Sequence, residues 1–128
     1  MRKEHNSTAQ QRLYPSVASP PRPLSLPLAD YAGVYRHPAY PDFVISVTSN
    51  NDLRVDVTGA FPIRVYLKHV TAEFFLAEIF FFRHSQVADA VVKAEFHYDA
   101  QGKVTSFGAA VDSDYMPDTL IWFERLLS

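Results

Sequence analysis

Cysteine is absent from this chain of 128 residues, which excludes disulfides, a cysteine nucleophile and every cysteine-containing zinc site. That absence leaves the compartment open, because many secreted domains also lack disulfides. Charge of one sign is lacking too. Twelve Lys and Arg face fourteen Asp and Glu, for a net charge of −2 and a pI near 6.2, so there is no broad cationic surface for nucleic acid or acidic lipid. No apolar run is long enough to span a bilayer: Phe74 to Phe82 is broken by Glu78 and stops far short. Behind Met1-Arg2-Lys3-Glu4-His5-Asn6 there is no apolar stretch, so no secretory signal is read and a cytoplasmic location is expected. Glycine is scarce, with four residues and no phosphate-cradling loop. Neither His-Glu-x-x-His nor Gly-x-Ser-x-Gly occurs. What is present is aromatic: ten Phe, seven Tyr and one Trp, within a composition that is 48% hydrophobic and 20% charged, the balance of one soluble globular domain.

Residues 1–27 are polar and then proline-rich, with Pro15, Pro20, Pro21, Pro23 and Pro27. No apolar periodicity runs through them, which predicts a disordered linker with polyproline character. From Leu28 the pattern changes. Leu28 to Ala32 reads as one helical turn, and Gly33-Val34-Tyr35-Arg36 opens an extended stretch. Phe43, Ile45 and Val47 alternate with polar or smaller residues as far as the turn signal Ser49-Asn50-Asn51-Asp52. Leu53, Val55 and Val57, then Ile63, Val65 and Leu67, repeat the period of two. Phe74 to Phe82 is apolar on both faces, as a central strand or a wall beside a cavity would be. Val92, Ala94, Phe96 and Tyr98 alternate with Lys93, Glu95 and His97, and Asp99-Ala100-Gln101-Gly102 reads as a short hairpin connection. Val104 to Val111 and Leu120 to Leu127 complete about eight strands at short, even spacing, which predicts an all-β antiparallel barrel or sandwich over residues 28–128.

The chemistry-bearing residues are few. The five histidines are scattered rather than spaced as ligands, and no metal or cofactor is expected. Glu95 and His97 share a strand face at a spacing that can hold a metal, but the apolar residues alternating with them turn that face toward solvent. Glu78 shares a face with Phe74, Leu76 and Phe80, where a carboxylate would be desolvated and could orient a ligand or act as a general acid. The other reading pairs it with an Arg or a Tyr hydroxyl, or leaves it wet at a rim. Tyr31, Tyr35, Trp122 and Phe123 fit core and closure positions, and a barrel of this size either holds one small ligand or is filled by its own side chains.

Several segments together carry a resemblance. Tyr31-Ala32-Gly33-Val34-Tyr35 followed by His37-Pro38-Ala39-Tyr40 resembles the opening of the lipocalin-like C-terminal domain of serine β-lactamase-like, penicillin-binding-protein-related hydrolases. Leu67-Lys68-His69 before Phe74, Gly102-Lys103-Val104 and the closing Phe123-Glu124-Arg125 are similar to later steps of the same domain. Pro41-Asp42 departs from the family's glycine after the tyrosine. The resemblance covers about Leu28 to Leu127 and implies a lipocalin-like barrel, with the proline-rich segment as the linker to a hydrolase domain. It also implies the accessory barrel without its enzyme. None of the ten serines has Lys three residues later, and Lys-Thr-Gly is absent.

Two functions follow as expectations. The first is a non-catalytic module that binds a small hydrophobic molecule or a partner β-lactamase-like hydrolase, with Tyr35, Tyr66, Glu78, Phe96 and Trp122 as ligand-binding candidates. The alternative is a small cofactor-independent isomerase or cyclase acting on a hydrophobic metabolite of secondary metabolism, with Glu78, His69, His97 and Tyr66 as its acid–base candidates.

Overall fold

The computed structural model describes residues 13–15, 17, 20–57, 63–81, 88–111 and 119–126. A 3₁₀ turn over Leu28–Tyr31 leads into β1 (Gly33–His37), β2 (Tyr40–Val47), β3 (Leu53–Val57) and β4 (Arg64–Thr71). β5 (Phe74–Phe80), β6 (Ala90–Tyr98), β7 (Val104–Ala109) and β8 (Ile121–Arg125) follow. Each strand pairs antiparallel with its neighbours in sequence, and β8 returns to β1, closing an eight-stranded barrel. Of the two architectures that the period-two patterning leaves open, an antiparallel barrel or a sandwich, this is the barrel, as the resemblance implies.

The interior follows from alternation. Ile45, Val55, Phe96 and Phe123 are almost fully buried, and Ile63 and Val65 are half-buried. Val47 departs from this pattern: it is the last residue of β2, beside the Thr48–Asp52 turn, and is 39% exposed. Tyr98 is exposed for a similar reason. It is the last residue of β6, beside the Asp99–Lys103 turn, where the register with β7 shifts.

One end of the barrel is filled with rings. Tyr31, Tyr35, Phe75, Phe96 and Phe107 meet mostly edge to face, the arrangement that aromatic quadrupoles favour. Phe43 stacks on Phe123 with ring centres 4.2 Å apart. The Tyr35 hydroxyl donates to the Tyr31 carbonyl at 2.7 Å. Arg125 seals this end, its guanidinium donating to the carbonyls of Ala32 at 2.7 Å and Val104 at 3.3 Å. Gly33 makes room for it: at φ 151° a Cβ there would lie 2.9 Å from Arg125 Nε. Gly33→Ala is therefore expected to lose about 1–3 kcal/mol, through backbone strain and a displaced guanidinium, as read by urea denaturation. An unchanged midpoint would show that the seal is dispensable.

The proline-rich segment is held where it is described, while residues 1–12, 16, 18 and 19 of the expected tail lie outside the described residues. Prolines donate no ladder hydrogen bonds, and the segment is tied down through other groups. The Arg22 amide donates to Thr71 Oγ1 at 2.7 Å, the Ala72 amide donates to the Arg22 carbonyl, and the Ser25 amide donates to Glu73. Upstream, Leu13, Tyr14 and Val17 join a second apolar cluster with Val70, Leu76 and Val91 on the outer face of β4, β5 and β6. The Tyr14 hydroxyl sits within 3.0 Å of the Phe75 carbonyl and 3.1 Å of the Ala94 carbonyl.

Burial pushes the phenols of Tyr14, Tyr31 and Tyr35 well above the ordinary range, and Glu73 accepting from Tyr31 adds to the shift there. The folded state therefore holds these phenols neutral. Stability is expected to stay level below the ordinary phenol value of about 10 and to fall as pH rises past it, because the unfolded phenols ionise first. An alkaline absorbance titration in which all seven tyrosines ionise together near that value would contradict this.

Candidate binding site

The opposite half of the barrel interior is hollow. There the rings give way to smaller side chains: along β5 the inward residues pass from Phe75 to Ala77, and along β7 from Phe107 to Ala109. With Val92 between them on β6, these truncations leave an apolar cavity of about 260 Å³, floored by Phe43 and Phe107. Its walls rise through Val55, Val57, Val65 and Ile79 to a mouth bordered by Tyr40, Pro41, Phe81 and Val111. Among the described lining residues none is charged, and Tyr40 is the one side chain carrying a polar atom. A dry apolar void of about 150 Å³ already accommodates benzene, so this volume suits a single ring or a short alkyl chain. Phe81 stands 46% exposed at the mouth. Its backbone is fixed there by Asp89, whose carboxylate accepts from the Phe81 amide at 2.9 Å while its own amide donates to the Ile79 carbonyl.

The residues that sequence reasoning singled out lie elsewhere. Tyr35 and Phe96 belong to the ring-filled half. Glu78 does share a face with Phe74, Leu76 and Phe80, but that face is the outside of the barrel. Its neighbours Ala77 and Ile79 point into the cavity, while Leu76 and Phe80 support the outer cluster. Glu78 is half-buried there, opposite Tyr66 on β4 and Val91 on β6. Tyr66 meets Phe80 edge to face on the same outer surface. Glu78 therefore does not face a ligand inside the barrel: the strand is apolar on both faces because its outer face is covered by Leu13 and Val17.

His69 is exposed near the β4–β5 turn, with Nε2 2.8 Å from the Ala72 carbonyl. His97 lies on the outer face of β6, 3.6 Å from Glu95 and stacked on Trp122 with ring centres 4.0 Å apart. The indole has room because Gly108 on β7 lies beneath it, where a Cβ would come within 2.9 Å. Among the described residues no three His, Asp or Glu side chains gather as a metal-holding group. The signal that sequence reasoning missed is the pair of alanines at inward positions in otherwise phenylalanine-rich strands.

A shallow groove runs along the outer wall of β8, β1 and β2. Trp122 and Glu124 line it from β8 and Leu126 from just beyond that strand, with Arg36, His37 and Asp42 from β1 and β2. Arg36 grips Asp42 with two hydrogen bonds, from Nε at 3.0 Å and Nη2 at 2.9 Å, and this hydrogen bonding holds the Asp42 carboxyl below the ordinary carboxylate range. The register places Glu124 beside Arg36. The Ala39 amide donates to His37 Nδ1 at 3.0 Å, which puts the imidazole proton on Nε2.

Residues 17–125 match the family described as Domain of unknown function (DUF3471). The chain is also similar to two fungal proteins. It is 32% identical over 127 residues to the unguisins hydrolase ungD' of Aspergillus campestris, and 27% identical over 127 residues to the unguisins hydrolase ungD of Aspergillus violaceofuscus. Those alignments take in 96% and 95% of this chain but 22% of each relative, so the chain spans about a fifth of the length of the proteins it matches. No solved structure matches it. Among the described residues no helix is long and apolar enough to cross a membrane.

Proposed function

This chain belongs to the DUF3471 family, and on that premise we propose that it is a non-catalytic, lipocalin-like accessory barrel of a serine β-lactamase-like hydrolase, holding a small apolar molecule or substituent in its hollow half. The observation that carries this reading is the open-ended cavity with no charged lining residue among those described. Burial of apolar ligand surface is the driving force such a cavity offers. The relatives are named as hydrolases, which favours a place beside hydrolytic chemistry. The nucleophile of that chemistry is missing here, since no Ser-x-x-Lys occurs. The isomerase or cyclase reading has less support, because Glu78, His69, His97 and Tyr66 do not line the cavity.

Titration of the chain with 1-heptanol, followed by calorimetry and by the methyl NMR signals of Val92 and Ile79, tests the reading. Saturable binding with shifts at those methyls is expected, together with no turnover of a chromogenic β-lactam or a p-nitrophenyl ester. Absence of binding overturns the cavity reading, and turnover that survives re-purification overturns the non-catalytic one.

A further inference from the structure

The cavity and the outer groove share a wall. Tyr40 borders both, at the first position of β2, where the barrel rim turns from inside to outside. Its ring is clasped there, 5.0 Å from the His37 ring and 5.6 Å from that of Phe123. Between Tyr35 and His37 the register shifts, with the extra residue on β2, and this sets His37 directly opposite Tyr40 at the rim. The two compartments differ sharply in chemistry. Inside, the described lining residues offer a ligand apolar atoms and one phenol. Outside, within one groove, lie the His37 Nε2–H donor, the Glu124 carboxylate acceptor, and the apolar surfaces of Trp122 and Leu126.

We propose that cavity and groove form one continuous site, folded over the rim at Tyr40, for an amphipathic ligand whose apolar end group enters the barrel and whose neutral, amide-bearing body lies along β1 and β8. This rests on the cavity reading above and adds the chemical class of the ligand. An amide supplies both a donor and an acceptor, which matches Glu124 and His37. A free carboxylate on the same body fits poorly. The Arg36 guanidinium already holds Asp42 through two bonds, and Asp42 and Glu124 would face the added negative charge at short range.

The test compares three probes on the full chain by calorimetry: 1-heptanol, N-heptanoylglycinamide and N-heptanoylglycine. If the groove contributes, the amide binds about tenfold more tightly than the alcohol, the yield of one or two well-made hydrogen bonds. The carboxylate is expected to lose that gain. Glu124→Ala and His37→Phe, the latter keeping the ring against Phe123, are each expected to reduce the advantage of the amide while leaving 1-heptanol affinity unchanged. Equal affinity for alcohol and amide, or an amide advantage that survives both variants, overturns the groove and leaves the cavity standing. A carboxylate that binds as well as the amide overturns the charge argument and with it the assigned ligand class. If no probe binds, the cavity reading falls and this one falls with it.

Discussion

Phe96→Ala is expected to destabilise the protein by about 3–5 kcal/mol, the range for removing a buried aromatic ring from a well-packed interior. The ring is 2% exposed and meets Tyr31 at 4.9 Å, Phe107 at 4.9 Å, Phe75 at 5.5 Å and Tyr35 at 6.0 Å between ring centres. It therefore loses both transfer free energy and several edge-to-face contacts, and neighbours held by β1, β5 and β7 cannot all collapse into the gap. Urea denaturation monitored by circular dichroism gives the value. A loss under about 1 kcal/mol would mean that the ring-filled half is not packed as described.

Ala77→Phe is expected to do the opposite. Ala77 points into the hollow half between Leu67 and Val92, where a ring has space, so the fold should survive while the cavity closes. Affinity for 1-heptanol should drop at least about tenfold, with the unfolding midpoint shifted by less than the overpacking range of about 1–3 kcal/mol. Ala109→Phe, across the cavity on β7, makes the same test if the first variant folds poorly. Unchanged binding in a folded variant would place the ligand somewhere other than the barrel interior.

The all-β antiparallel architecture was legible in the sequence because its signal is period-two alternation, repeated strand after strand with turn residues between, which leaves barrel and sandwich alike open. Ile45, Val55, Phe96 and Phe123 are buried for the reason the pattern predicts. The misplacements occur where alternation stops being informative. Val47 and Tyr98 each end a strand, and at Tyr98 the register shifts as well. For β5, apolar on both faces, parity identified the companions of Glu78 but not which side of the wall they occupy. That side is decided by Leu13 and Val17, more than fifty residues away in sequence, covering the outer face. The cavity was hidden for a related reason. It is made by what Ala77 and Ala109 omit, and an alanine in a strand does not reveal whether the space beside it is filled by a neighbour.

The resemblance motifs acquire a physical meaning in the closed end. Tyr31, Gly33 and Tyr35 at the start and Phe123 and Arg125 at the finish are the residues that fill and seal it, and none of them lines the cavity.

Every seam of the barrel but one joins strands that are neighbours in the chain. The exception, β1 against β8, is held at Tyr35–Arg125 and Arg36–Glu124 and by the Leu126 amide donating to the Val34 carbonyl. Its latch, Arg125 on the Ala32 carbonyl, connects positions 93 residues apart, so closing this seam costs the most loop entropy and opening it returns the most. Amide hydrogens along β1 and β8 should thus exchange with solvent ahead of those in the hairpin-joined strands. Each such opening exposes two strand edges able to pair with another chain, which makes the single Arg125 guanidinium at the closed end a guard against aggregation as well as a contributor to stability.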